Sequence, residues 1–175
     1  KKEFILSKFY TVVALSAIST LFLFGVSLVL GLLYSSYMEF SIIFSGLEYL
    51  FAFFIKLVAF FSFCLFLGIL VKRSAFALGF LFVWQFFEGI MYVILQSTTN
   101  PNTASTLMRF FPLNAMSNLI REPFTRLSAV QSIANQIGGE FDLDYAVHWF
   151  DIAIVIGWTA LFIFLSYLLL KKRDL

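Results

Sequence analysis

The sequence predicts an all-α membrane protein, a polytopic bundle of four transmembrane helices, and three observations support this. Hydrophobic residues make up 61% of the 175 residues and charged residues 13%, whereas soluble domains contain roughly half apolar and a quarter charged residues. Four segments are apolar over a length that can cross the ~30 Å hydrocarbon core of a bilayer. These segments are apolar on every face, which excludes transmembrane strands with their alternating pattern.

Four spans within a single transmembrane domain are predicted from hydropathy. They cover about residues 9–33, 47–71, 75–95 and 149–170 of a domain that comprises residues 1–175. The connection between the second and third spans is very short and contains Lys72 and Arg73. Because so short a turn leaves no room for a crossover, these two spans are predicted to form an antiparallel helical hairpin.

Lysine and arginine are distributed unequally between the two ends of the spans. One end collects Lys1, Lys2, Lys8, Lys72, Arg73, Lys171, Lys172 and Arg173. The other end has Arg109, Arg121 and Arg126. Because short cytoplasmic loops are enriched in Lys and Arg, both termini are predicted to be cytoplasmic. The region of about residues 96–148 is then external.

This external region is too apolar to be an ordinary linker. Pro112 and Pro123 interrupt it, and proline inside a helix removes a hydrogen bond and clashes with the preceding turn. The prolines divide it into three amphipathic pieces, at about Thr103–Phe111, Leu113–Arg121 and Thr125–Ile137. Such short pieces cannot span a bilayer, so we expect interfacial or re-entrant helices that pack on the membrane or on the spans themselves.

Two charged residues lie deep inside the hairpin. A charge at the centre of a bilayer costs at least ~2.5–3.5 kcal/mol on insertion scales, so it usually faces protein or water and finds a partner. Lys56 lies about 13 Å from the start of its span and Glu88 about 10 Å from the end of the next. We predict that they approach each other, directly or through a polar group or water. Gln85, Glu88 and Tyr92 share one face of the third span, which should point into the bundle.

Two interpretations of this polar group remain open. It can line a substrate path, or Lys56 and Glu88 can be a structural pair that fixes the register of the hairpin, a role well attested for buried polar groups.

Motifs of soluble enzymes are missing, and no catalytic residue or metal site is predicted. The single histidine, His148, excludes a paired-histidine metal site, and no G-x-x-x-x-G-K-[ST] phosphate loop or G-x-S-x-G elbow occurs. Glu140, Asp142 and Asp144 alternate, but without the pattern of a calcium loop they are expected to be an acidic linker. Asp151 stands at the start of the fourth span and is predicted to be its N-cap.

Four features occur together in one order. The stretch Glu3-Phe4-Ile5-Leu6-Ser7-Lys8 leads directly into a span, and the Lys72-Arg73 turn joins two more. Phe110-Phe111-Pro112-Leu113-Asn114-Ala115-Met116 precedes the last span, and the chain ends in Leu168-Leu169-Leu170-Lys171-Lys172-Arg173-Asp174-Leu175. In this order and topology the whole chain resembles the integral membrane permease subunits of type-2 ABC (ATP-binding cassette) exporters.

The resemblance implies a transporter subunit of a bacterial inner membrane, without an ATPase site and without a cofactor of its own. A cytoplasmic ATP-binding cassette subunit would bind ATP, and a second copy or a homologous permease would complete the path in the lipid bilayer. No nucleic-acid partner is implied. Family members have six spans, so the four spans here correspond to the third to sixth. The first two spans and most of the coupling helix are then expected upstream of Lys1.

The resemblance also assigns roles to two groups of residues. The part of the ATPase-coupling surface that this chain contains would be Lys1, Lys2, Glu3 and Lys8. The external gate of the path would be Phe110, Phe111, Pro112, Leu113 and Met116. Two alternatives are a non-transporting membrane protein that anchors or assembles a partner, and an intramembrane enzyme. The enzyme is disfavoured because one histidine and scattered carboxylates do not make a catalytic cluster.

Overall fold

Helices dominate the protein, as the sequence predicts. A computed structural model describes residues 2–34, 46–71, 74–120, 132 and 146–172, and no strand occurs among these residues. The helices are α1 (Lys2–Tyr34), α2 (Leu47–Val71), α3 (Ser74–Thr98), α4 (Pro101–Met108), α5 (Pro112–Asn118) and α6 (Trp149–Lys172). Four of them, α1, α2, α3 and α6, are long and apolar enough to cross a membrane. The predicted all-α bundle of four spans is therefore confirmed.

The helix bounds differ from the predicted spans mainly at polar ends. α1 begins at Lys2, before the apolar segment that starts near residue 9, because nothing in the intervening residues breaks a helix. α3 continues past Leu95 to Thr98, and the hydroxyl groups of Ser97 and Thr98 donate to the carbonyl of Ile94 at 2.9 and 2.8 Å. Hydropathy marks the part of a helix that can lie in lipid, and the helix itself extends further.

α2 is the central helix and packs against α1, α3, α5 and α6. Its buried residues recur at intervals of three or four, so they form one stripe along the helix. They include Ala52, Ile55, Ala59, Phe63 and Leu67. The alanines allow close approach of neighbouring backbones, which is how helices pack in membranes where the hydrophobic effect does not drive association.

An aromatic cluster joins three of the spans. The ring of Phe162 in α6 lies 4.7 Å from that of Phe63 in α2 and 5.4 Å from the ring of Trp158, measured between centroids. Phe63 in turn makes an edge-to-face contact with Trp84 of α3 at 5.9 Å. Such aromatic pairs contribute ~0.5–1.5 kcal/mol each beyond the area that they bury. The cluster therefore fixes the relative positions of α2, α3 and α6.

The short helices pack on the spans, which are one of the two surfaces that the sequence left open. Ala115, Met116 and Leu119 belong to the same buried core as Ile55 of α2 and Ile152 of α6. Each short helix begins with a proline, which is favoured at the first helical position because its missing N–H would have no partner there. Pro112 therefore starts α5 and does not only separate two pieces.

Several predicted features lie outside the described residues. They are Lys1, the Lys72-Arg73 turn, the third amphipathic piece at about Thr125–Ile137, the acidic residues Glu140, Asp142 and Asp144, and the last three residues of the basic tail.

Candidate functional site

A cavity of about 550 Å³ opens between α2, α3 and α5. Its wall contains the four polar residues that the sequence singled out: Lys56 of α2 and Gln85, Glu88 and Tyr92 of α3. The wall is completed by Phe53, Leu57, Phe60, Gly89, Leu113, Asn114, Met116 and Ser117. The structure thus brings the predicted polar stripe of α3 and the charged residue of α2 to one site.

Glu88 is the most buried of the four polar residues that the sequence singled out, with 4% of its surface exposed. Its Oε1 accepts hydrogen bonds from the indole N–H of Trp84 at 2.7 Å and from the backbone N–H of Leu113 at 3.1 Å. Its Oε2 accepts a hydrogen bond from the backbone N–H of Asn114 at 2.9 Å. Both carboxylate oxygens are therefore bonded to N–H donors.

The two backbone donors belong to the first turn of α5. Amides of a first turn have no partner within their own helix, and Phe111, at the N-cap position of α5, provides no side-chain hydrogen bond. Glu88 provides the missing acceptor from another helix. Its negative charge also faces the positive end of the α5 dipole, which is a favourable arrangement. Glu88 thus caps α5 and ties it to α3.

This geometry changes the interpretation of Glu88 without deciding that of Lys56. An indole and two backbone amides donate hydrogen bonds to the Glu88 carboxylate, and the sequence indicated none of these three groups as its partner. Lys56 is partly buried on the wall of the same cavity. A functional or structural pairing of the two remains a prediction.

A second carboxylate holds the same segment from the other side. Arg109, directly after α4, donates from Nε to Oδ1 of Asp151 at 2.5 Å and from Nη2 to Oδ2 at 2.7 Å. The side chain of Asp151 is 4% exposed and that of Arg109 is 35% exposed. Paired parallel bonds of this kind are among the stronger hydrogen bonds of proteins. The prediction that Asp151 is the N-cap of α6 is wrong, because it is the third residue of that helix and binds Arg109.

Of the residues predicted to form an external gate, Phe110 and Phe111 lie in the connection between α4 and α5, and the others lie in α5. The carbonyl of Phe110 accepts a hydrogen bond from the indole N–H of Trp158 at 2.9 Å, and its ring packs edge-to-face on Phe150. Phe111 is partly buried. Pro112 and Met116 are buried, and Leu113 is bound to Glu88 through its backbone. Together with Glu88 and Asp151, Trp158 makes a third link between the short helices and the spans.

A second cavity, of about 450 Å³, adjoins the first at α5. Arg109, Asp151 and His148 line it, together with Ser105, Thr106, Met108, Asn118 and Ala146. Tyr92, Asn114 and Ser117 line both cavities. The two cavities are therefore neighbours that share these three side chains of α3 and α5.

Comparison with known families adds an independent finding. The sequence model of the family described as ABC-2 family transporter protein matches residues 1–175. The chain belongs to the ABC-2 transporter family. No curated protein and no solved structure matches it significantly. Family membership and the four apolar helices make the chain an integral membrane component of a transporter.

The described residues that are predicted to belong to an ATPase-coupling surface of this ABC-2 protein lie apart from both cavities. Lys2, Glu3 and Lys8 are exposed on the first turns of α1. The ammonium of Lys2 lies 5.9 Å from the centre of the Tyr167 ring at the far end of α6. None of these three residues lines the cavity that contains Glu88. A role in coupling would therefore act through the helices and not by contact with the polar cavity.

Several partners in the site were not predicted from the sequence. Trp84 stands four residues before Glu88, so helical spacing alone could have placed its indole beside the carboxylate. The sequence pattern at Arg109 bears only on the membrane orientation, and no pattern points to Trp158. Their partners are 42 and 48 residues away in the chain, and no spacing rule connects positions so far apart.

Proposed function

We propose that this chain is the membrane-spanning permease subunit of an ATP-driven ABC exporter. It forms half of a substrate path, completed by a second permease, and is driven by a separate cytoplasmic subunit that binds ATP. The match of the entire chain to the ABC-2 family carries this proposal. The cavity among the spans supports it, because Lys56, Gln85, Glu88 and Tyr92 place polar groups in its wall at a depth where lipid offers such groups no partner.

The cavity bounded by Lys56, Gln85 and Tyr92 is the part of the path that this chain contributes. Glu88 stands in its wall, but its oxygens are occupied by N–H donors. Lys56, Gln85 and Tyr92 are therefore the side chains that contact cargo, and Glu88 positions the segment above them. This division replaces the simpler alternative in which all four act alike.

The segment from α4 to α5 is the external gate. Phe110, Phe111, Pro112, Leu113 and Met116 form its core. Because Glu88, Asp151 and Trp158 bind it at three points, it moves together with α3 and α6 when the path opens. Rigid movement of helices about a packed interface is a common mode of such transitions.

The membrane orientation follows from the positive-inside rule, with both termini in the cytoplasm of a bacterial cell. Single cysteines in a Cys64→Ala background test it. A cysteine at Thr103, on α4, should react with an impermeant maleimide added to intact cells. A cysteine at Lys171 should react only after the cells are opened. The reverse pattern would exclude this orientation, and with it the external gate.

The exporter itself is tested by co-expression of the complete subunit with a candidate cassette ATPase. We expect the ATPase to co-purify through a tag on the permease, and cargo to stimulate its ATP hydrolysis. A stable permease that never recruits an ATPase would instead indicate the anchoring or assembly role. An intramembrane enzyme would show turnover without any ATPase subunit.

Two substitutions test the assignment of the cavity within the assembled complex. Lys56→Gln and Tyr92→Phe should reduce cargo-stimulated ATP hydrolysis by about tenfold, because each removes a polar contact with the cargo worth ~1–2 kcal/mol. Glu48→Gln is the matched control, since Glu48 lies on α2 but outside the cavity. Equal stimulation in all three variants would show that the cavity is not on the path.

A further inference from the structure

A different groove runs between the start of α1 and the end of α6. It has a volume of about 600 Å³, within the ~300–1,000 Å³ typical of small-molecule sites. Its wall is formed by Lys2, Ile5, Leu6, Phe9, Ile156, Thr159, Ala160, Ile163, Phe164 and Tyr167. It lies apart from the polar cavity, and no residue is common to the two walls.

The groove is apolar along its length and cationic at one end. Lys2 is the one charged residue among the residues of its wall, and its ammonium lies over the ring of Tyr167. Lys171 follows Tyr167 on the same face of α6, because residues four apart are neighbours on a helix surface. The nearby acidic residue, Glu3, points to another surface depression of α1, shared with Ser7 and Tyr10.

The groove is about as long as the hydrocarbon part of one bilayer leaflet is thick. Its wall on α6 extends from Ile156 to Tyr167, which is about 16 Å at ~1.5 Å per residue. One leaflet of a hydrocarbon core of ~30 Å is about 15 Å thick. A chain that enters at the basic end and reaches Ile156 would therefore have the length of a lipid acyl chain.

We propose that this groove binds an anionic phospholipid of the leaflet at the basic end of the bundle. One acyl chain lies against Leu6, Phe9 and Ile163, and the phosphate lies between Lys2 and Lys171. Charge complementarity selects the headgroup, because basic residues at the membrane surface attract anionic lipids. The lipid thus bridges α1 and α6 and contacts Lys2, one of the residues that the resemblance assigns to ATPase coupling. The proposal does not depend on what the protein transports.

Native mass spectrometry of the purified full-length protein tests this, with phosphatidylglycerol and phosphatidylcholine as probes. We expect retention of phosphatidylglycerol in preference to phosphatidylcholine. The double variant Lys2→Gln/Lys171→Gln should weaken phosphatidylglycerol binding about fivefold per lysine. The matched control, Lys8→Gln/Lys172→Gln, removes the same charge at the same end of the bundle and should bind as the unmodified protein does.

The apolar part of the groove is tested by filling it. Ala160→Phe should abolish retention of phosphatidylglycerol, whereas Ala153→Phe, also on α6 but outside the groove, should not. Equal loss in both lysine variants would overturn the proposal in favour of diffuse attraction to the surface. Equal retention of the two lipids would also overturn it. So would an Ala160→Phe protein that keeps its lipid but changes its oligomeric state, because a second copy would then occupy the groove.

Discussion

Glu88 and Asp151 are two buried carboxylates that hold the same short segment in different ways. Glu88 of α3 binds two backbone amides of α5 and one indole. Asp151 of α6 binds the guanidinium of Arg109 through two parallel bonds. Three neutral N–H donors and a helix dipole face the first carboxylate, and a full positive charge faces the second. The comparison shows that a buried carboxylate in a membrane bundle can hold a segment through neutral donors as well as through a cation.

These two carboxylates, the anchors of the short segment, also differ in the kind of donor that they bind. Two of the three donors to Glu88 are backbone groups, so its bonds form only when α5 is folded and docked on α3. The donor to Asp151 is a long side chain with 35% of its surface exposed, which can follow a moving segment or turn to water. The hydrogen bonds of Glu88 therefore require that α5 is folded and docked, whereas those of Asp151 require the charged side chain of Arg109.

The largest expected effect is that of Glu88→Ala. The substitution leaves the N–H groups of Leu113, Asn114 and Trp84 without their acceptor, and an unsatisfied buried donor costs ~1–3 kcal/mol. We expect a loss of about 3–4 kcal/mol in the free energy of unfolding, measured in mixed micelles with increasing denaturing detergent. Glu88→Gln should lose less, because it keeps one acceptor oxygen in the same place.

Glu48→Ala is the control for this prediction, since Glu48 is an exposed acidic residue in the first turn of α2. If Glu88→Ala changed stability no more than Glu48→Ala does, the carboxylate would not contribute to docking α5.

The next effect in size is that of Arg109→Ala. Removing one partner of a fully buried ion pair costs ~3–5 kcal/mol. Arg109 is partly exposed, so water screens the pair, and we expect about 2–3 kcal/mol in the same assay. Asp151→Ala should cost only about 1 kcal/mol. The remaining guanidinium of Arg109 can turn into the second cavity, which it lines, and keep hydrogen bonds of ordinary strength there.

A double-mutant cycle separates the pair from the rest of the site. The variant Arg109→Ala/Asp151→Ala should be more stable than the sum of the single losses implies, since it leaves no buried charge. Additive losses would mean that the two groups do not interact in the membrane-bound protein.

These two anchors also show how far the sequence predicts the structure. Hydropathy and the lack of alternation predict four helices, and a carboxylate within an apolar span is expected to face the bundle interior, as Glu88 does. Its partner could not be predicted in the same way. The amides it binds are 25 and 26 residues further along the chain, and they become available only because α5 starts there.

For Asp151, in contrast, the local pattern predicts a role that the structure does not show. A carboxylate at the start of a helix is typical of an N-cap, and local pattern alone supports that interpretation. Arg109 lies 42 residues earlier, so only the packing of α5 between α2 and α6 brings the guanidinium to Asp151. Local rules thus predict which residues lie in the site, and tertiary contacts determine which of them bind each other.

The smallest expected effect is that of Trp158→Phe, which tests whether the third link acts as an anchor at all. In the unmodified protein the ring centroids of Trp158 and Phe162 lie 5.4 Å apart. Phenylalanine keeps a ring that can stack on Phe162, but it removes the hydrogen bond to the carbonyl of Phe110. A single neutral hydrogen bond contributes ~0.5–1.5 kcal/mol, so we expect a loss of about 1 kcal/mol. Trp149→Phe, at a residue that is 78% exposed, should change little. If Trp158→Phe instead cost more than Arg109→Ala, the indole would be the main link between the gate and α6, and the Asp151 pair would be secondary to it.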